Sequence, residues 1–426
     1  MKIYLVEPKF PVPPKSKNHK DFLPVGLLKL GAMYRAMGHR VKLIRGKLTK
    51  KEILKIGGGR WDKPDEIMIT SLFTYWKKHV VNCIEHYHTL YPSAKITVGG
   101  IYASLMPDDC KKISGVDDVW VGIHPEAEKY EPAYELIEQN PHPLDYQIIH
   151  SSRGCPRRCD FCGTWKIEPS FISKSSIKDE ILKKKVIFYD NNLLMNPNID
   201  NILDELIELK QSGEIKWCES QSGFDGRILL KKPELANKIK MAGFRSPRIA
   251  WDWYFEEANN IKKQIDILLK AGYHREQISV FMIYNWDIEF VEMEKKRAKC
   301  FKWGVQIADC RYRPLDRTVD NYDPRAYKNG QTEEDYHIHK EAGWTDSLVR
   351  QFRKNIRRQN ICVRQGFEFY SKDLERMTIP KEKIIKIMNH VQKIDTKREK
   401  KEYLKKMKID YWFPDDITYP EKTEVR

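Results

Sequence analysis

The sequence predicts an α/β protein in three parts, and three observations carry that expectation. Short apolar runs alternate with segments of helical periodicity over the first 143 residues. The same alternation resumes at Tyr146 and runs to about Pro314. Beyond Gly343 the chain turns basic and reads as helix. Residues 1–143 therefore form a doubly wound, Rossmann-like parallel sheet. Residues 144–315 form a partial, TIM-type (βα)6 barrel, and 316–426 a polar connection followed by a helical extension.

In the first part Ile3–Val6 reads as a buried strand. Leu23 to Met37 is an amphipathic helix stopped at Gly38-His39-Arg40. Val41–Ile44 and Glu66–Thr70 are the next strands, the latter followed by a helix to about Tyr91. Ile96–Gly100 and Asp118–Gly122 complete the sheet. Barrel strands are expected at Tyr146–His150, Val186–Tyr189, Ile215–Cys218, Arg248–Trp251, Ile278–Tyr284 and Val305–Ala308. Residues 311–343 are turn-rich. A basic helix follows, and then a second helix from about Pro380 to Met407 with Ile384, Met388, Val391 and Ile394 on one face.

Composition narrows the class. With 426 residues, 41% hydrophobic and 32% charged, the chain suits two or three folded domains rather than disorder. No apolar run approaches the roughly 20 residues that span a bilayer, and Met1–Glu7 is too short and too soon charged for a secretory signal. A cytoplasmic location is expected. The net charge of +16 suits anionic partners such as RNA, DNA or phosphorylated substrates, and equally a plain soluble surface.

Nine cysteines include one tight group, Cys155, Cys159 and Cys162, while Cys83, Cys110, Cys218, Cys300, Cys310 and Cys362 are scattered and read as core residues. The group lies in Ser152-Arg153-Gly154-Cys155-Pro156-Arg157-Arg158-Cys159-Asp160-Phe161-Cys162, spaced C-x3-C-x2-C. Three thiolates on one loop can hold a cubane cluster and leave one iron open, since full ligation takes four. A zinc site of three cysteines with His150 is the competing reading, although zinc ligands usually come in two separated pairs.

A strand ending in Ser-Arg-Gly-Cys-Pro, with an aromatic residue just before the third cysteine, resembles the signature of the radical SAM superfamily. That resemblance implies an oxygen-sensitive [4Fe–4S] cluster on Cys155, Cys159 and Cys162, with S-adenosylmethionine chelating the fourth iron. It implies reductive cleavage to methionine and a 5′-deoxyadenosyl radical that abstracts hydrogen from a substrate, with an electron donor as partner. Phe161 would shield the cluster or pack beside adenine. Asp190 and Asn191, after the second barrel strand, would meet the methionine amine. Ser222, Asp225 and Arg227, after the third, would meet the carboxylate or ribose. Each of these polar residues also reads as a solvated loop or cap residue. Trp251-Asp252 departs from the Gly-x-Glu-Ser ending of relatives, and Trp253, Tyr284, Trp286 and Arg311 are candidates for the substrate mouth.

The first part also resembles the cobalamin-binding domain fused to many such enzymes, through Leu23–Leu28, Gly38-His39, Val98–Ser104 and Gly122 with Pro125-Glu126. No Asp-x-His-x-x-Gly motif for a lower cobalt ligand occurs, so cobalamin is admitted but not favoured. Methyl transfer is the subclass this likeness suggests. Arg350, Arg353, Arg357 and Arg358 are candidate phosphate contacts, against a plain solvated helix face. His337, His339 and Glu333–Asp335 read as a metal group or a polar loop. The rival functions are a nucleic-acid-binding protein with a structural metal at the cysteines, and a radical enzyme that modifies RNA.

Overall fold

The computed structural model describes residues 1–11, 23–49, 51–52, 63–137, 144–325, 330–376 and 378–419. It divides into two compact units. The first comprises Met1–Gln221, Arg313–Tyr322 and Asp335–His337; the second comprises Ser222–Tyr312, Asp323–Glu334 and Ile338–Arg426.

The first unit opens with five parallel strands: β1 (Lys2–Glu7), β2 (Arg40–Arg45), β3 (Glu66–Ser71), β4 (Lys95–Gly100) and β5 (Asp118–Val119), ordered β2-β1-β3-β4-β5. Strand β1 is apolar on both faces because both are covered. Ile3 and Leu5 pack with Leu27 of the helix Val25–Ala36. Tyr4 and Val6 pack with Ile84 and Tyr87 of the helix Lys77–Leu90. That is the doubly wound arrangement the alternation predicts. Strand β5 stops three residues earlier than expected. Gly122 turns at φ 80°, and Trp120 and Val121 stand 41% and 52% exposed.

The six expected barrel strands all form, but as two parallel sheets of three. In the first unit β6 (Tyr146–Ile149), β9 (Lys185–Phe188) and β10 (Trp217–Ser220) lie in the order β10-β9-β6. Between β6 and β9 comes a small antiparallel pair, β7 (Ser152–Arg153) with β8 (Ile172–Ser173). In the second unit β11 (Arg248–Ala250), β12 (Ser279–Tyr284) and β13 (Gln306–Arg311) follow in chain order. Among the described residues each unit thus holds one three-stranded parallel sheet. At the start of β11 the Arg248 carbonyl accepts from Phe224 N–H at 2.7 Å. Strand β10 begins two residues later than expected because Ile215 belongs to the preceding helix terminus. Its N–H reaches the Leu209 carbonyl (3.0 Å) past Gly213, which adopts φ 82°.

In the second unit the helix Asp346–Gln365 buries Val349, Phe352, Ile356 and Cys362. The expected helix from 380 to 407 is instead two, Lys381–Gln392 and Lys397–Lys406, because Thr396 caps the second by accepting from Glu399 N–H. Both helices close over a small core that includes Phe369, Ile387, Val391, Leu404 and Phe413. No helix among the described residues is long and apolar enough to cross a membrane.

Candidate functional site

The cysteine loop leaves the sheet just after β6, and its neck is tied at several points. Ser152 pairs with Ser173 and Arg153 with Ile172. Gly154 sits at φ 78°, and a Cβ there would stand 2.3 Å from the Ser170 carbonyl oxygen, so no other residue fits. Its N–H donates to Glu168 (2.6 Å), and the same carboxylate receives Arg153 (2.6 Å) and Asn191 (3.1 Å). Glu168 was not singled out in the sequence, and no local pattern marks it. Only the closing of the neck brings its donors together.

Asp190, expected beside a bound ligand, holds the entry to the cysteine loop. It is fully buried and accepts from Ser151 N–H (3.0 Å), Ser151 Oγ (2.6 Å), Ser152 N–H (2.6 Å) and Ser152 Oγ (2.7 Å). Burial pushes its carboxyl up, and these four donors pull it back. Asp190 therefore anchors the segment that enters the cysteine loop. Asn191 continues the tie: besides Glu168 it meets Thr164 Oγ1 (3.3 Å), which in turn lies 3.3 Å from the Cys162 sulfur. Asn196 donates to the Ser151 carbonyl (3.0 Å) from the other side.

Within the loop Cys162 N–H donates to the Cys159 carbonyl (3.0 Å), which also receives the Trp165 indole N–H (3.3 Å). Cys155, Cys159, Phe161 and Cys162 are all half-buried. None of the nine cysteines is in a disulfide. Five of the other six are buried, as expected of core thiols, whereas Cys310 is exposed on β13, against the core reading. Among the described residues no three His, Cys, Asp or Glu side chains are drawn together as ligands of a single ion. His150 is a poor zinc partner for the loop. Its Nε2 is taken by Arg153 at 2.7 Å, its ring is buried, and burial with the Arg153 charge holds it neutral.

The cysteine loop lies against the carboxyl edge of the five-stranded sheet. Gly163 packs at the Leu105 side chain, and a Cβ on Gly122 would stand 3.2 Å from the Ile167 carbonyl oxygen. That edge is glycine-rich and aromatic. Gly100 (φ 96°) passes so close to Ser71 that a Cβ would meet its carbonyl oxygen at 2.2 Å. Ser71 Oγ donates to the Gly99 carbonyl (2.8 Å) and accepts from Ala103 N–H (3.0 Å). Phe73 stacks on Tyr75, Phe10 on Trp76, and Trp120 on His124. Phe73 and Trp120 remain about two-fifths exposed, at 38% and 41%.

Ser222, Asp225 and Arg227 belong to the second unit. Ser222 is exposed. Asp225 caps the helix Gly226–Lys231 by accepting from Arg227 N–H (3.1 Å) and pairs with the Arg227 side chain (3.1 Å), so the cap reading describes it. Of the residues expected at a substrate mouth, Tyr284 is core, packed on Phe352 and Trp344. Arg311 is 9% exposed, Trp286 packs at a tilt against Tyr312, and Trp253 is 38% exposed. The structure adds a pair that sequence reasoning missed at the end of β11. Lys296 is fully buried and donates to the Trp251 and Trp253 carbonyls (2.7 Å each). Burial brings its ammonium down to about 8 and pushes the neighbouring Asp252 carboxyl up to about 6. His339 is held by Asp287 (2.7 Å) and Lys340 by Glu333 (2.7 Å), which favours the polar-loop reading there.

Residues 16–129 match the family model of the B12 binding domain. No curated protein matches the chain. The amino-terminal domain is therefore cobalamin-binding-like, with the mixed α/β, parallel-sheet architecture that suits it.

Proposed function

We propose that the protein is a radical SAM enzyme whose cobalamin-type domain adjoins the cluster loop. The observation that carries this reading is the cysteine loop itself. Three half-buried thiols, none in a disulfide, stand on one excursion from the end of a parallel strand, with the neck pinned by Glu168 and Asp190. The donor set fits an iron–sulfur cluster, for which thiolate is the usual ligand and three thiolates leave one iron open. When bound, such a cluster supplies the electron for reductive cleavage of S-adenosylmethionine.

The chain's own residues bind and orient. Cys155, Cys159 and Cys162 would be the ligands. Phe161 would shield the cluster, and Asn191 and Thr164 set the position of Cys162.

Cobalamin also suits the residues of the amino-terminal domain. A flat macrocycle needs a smooth edge with apolar cover. Gly100 and Gly122 let the backbone turn tightly against Ser71 and Ile167 there, while Phe73, Trp120 and Val121 stand exposed beside it. Bound cobalamin would supply a methyl-transfer centre. With no Asp-x-His-x-x-Gly motif, these side chains would hold it through shape rather than through a lower ligand.

The test is anaerobic reconstitution with iron and sulfide, then SAM and a strong reductant, read as 5′-deoxyadenosine. Its formation, lost in the Cys155→Ala, Cys159→Ala, Cys162→Ala triple variant, is expected. A variant that keeps both cluster and SAM cleavage overturns the assignment. Hydroxocobalamin titration followed by visible absorbance tests the second ligand separately, with Gly100→Ala expected to abolish any binding.

A further inference from the structure

The basic residues of the carboxyl-terminal region divide into two groups once their partners are known. Arg350 is committed to structure: it pairs with Asp346 (2.8 Å) and donates to the Asp323 carbonyl (2.6 Å) and Gln331 (2.7 Å). Arg353 acts on Asp309 of β13. Lys354, Arg357 and Arg358, spaced at i, i+3 and i+4, share another face of the helix Asp346–Gln365. Opposite them the short helix Lys372–Arg376 brings Lys372 and Arg376. These five cations, with Tyr370 and Glu375, line one cavity of about 430 Å³.

The cavity is short of negative charge. Its one carboxylate, Glu375, is shared between Arg357 and the Tyr370 hydroxyl. Burial and the nearby Arg358 and Lys372 charges hold the Lys354 ammonium below its ordinary value, against the pull of Asp410. Five cations crowded into a concave site with a single carboxylate repel one another, and a multivalent anion relieves that repulsion. Arg and Lys together suit phosphate oxygens, Arg through its planar fork and Lys as a point charge. The volume is that of a small-molecule site. Single-stranded nucleic acid sites add free aromatic faces for bases, but here the Arg358 guanidinium covers Tyr370 at 4.9 Å.

We infer that the cavity between the helices Asp346–Gln365 and Lys372–Arg376 binds a small molecule bearing two or more linked phosphate groups. This inference stands apart from the cysteine loop and does not depend on the radical reading.

The experiment is isothermal titration of the full chain with sodium tripolyphosphate at 150 mM salt. The double variant Lys354→Gln/Lys372→Gln is compared with Lys383→Gln/Lys386→Gln, which removes the same charge from exposed positions on another helix. Saturable binding that weakens at least tenfold in the first variant and less than twofold in the second is expected. Equal weakening in both would mean general charge attraction and would overturn the site. So would no binding of tripolyphosphate, including the case where a single-stranded RNA binds in its place. Unchanged thermal melts of both variants exclude misfolding as the cause.

Discussion

Replacing Asp190 by alanine tests how the cysteine loop is held. The carboxylate accepts four hydrogen bonds in a fully buried setting, two from backbone N–H groups of Ser151 and Ser152 and two from their hydroxyls. The hydroxyls can turn toward other acceptors, but the two backbone donors cannot. Each buried donor left unsatisfied costs about 1–3 kcal/mol, so the pair costs about 4 kcal/mol. That is a large part of the 5–15 kcal/mol typical of a folded domain. The segment at 150–153 is expected to open locally before the rest of its unit. Hydrogen exchange by mass spectrometry on the anaerobic apoprotein is the assay. Peptides covering Ser151 and Ser152 are expected to exchange about a thousandfold faster, because about 1.4 kcal/mol corresponds to a factor of ten. Cluster loading is expected to fall in parallel, with Asp190→Asn intermediate because its carbonyl keeps one acceptor. If exchange at 151–152 stays within threefold of wild type while SAM affinity drops, Asp190 is a ligand contact and the anchoring argument is wrong.

Four further outcomes follow from the packing. Gly100→Ala, with φ 96° and the Ser71 carbonyl 2.2 Å from the new methyl, is expected to lose more than about 2 kcal/mol in urea denaturation. Gly26→Ala, on an open helical position, should gain about 0.5–1 kcal/mol, and a loss there would refute the reading. Arg297 and Glu294 form a completely buried pair that also holds Asn355, Gln359 and the chain near Pro414–Thr418. Arg297→Met should cost about 3–5 kcal/mol, and adding Glu294→Met should recover at least half, as judged by thermal melting. Asp252, pushed up to about 6 by burial, binds its proton more tightly folded than unfolded. Its contribution is fully present below the unfolded value near 3.8 and is lost as pH rises through about 6. The loss is about 3 kcal/mol, from about 1.36 kcal/mol for each pH unit. Asp252→Asn should therefore gain stability relative to wild type between pH 4 and pH 8, and a difference constant over that range would refute it.

Much of the fold could be read without the structure. Strands such as Ile3–Val6 and Ile96–Gly100 are visible because sheets covered on both faces need unbroken apolar runs. The limits were misjudged where a local contact overrides pattern. Ile215 looks like strand but closes a helix end, Trp120 and Val121 look apolar enough for strand but lie just past its end, and Thr396 splits one amphipathic stretch into two helices. Site residues behaved likewise. Asp225 follows a cap pattern and caps, whereas the internal hydrogen bonds of Asp190 and Arg350 have no mark in the local pattern.

What the sequence determined alone is chemical identity and period: three thiols within eight residues, the strand–helix alternation, and a surplus of cations near the carboxyl terminus. Only the tertiary structure decided which charges remain available. Glu168 closes the loop from fourteen residues beyond Gly154, and Asp190 from nearly forty beyond Ser151. Lys354 and Lys372 meet across two helices. A hydrogen bond depends on distance in space, and periodicity reports only on neighbours along the chain. Partners set by the packing of separate elements therefore leave no mark in either residue's local pattern.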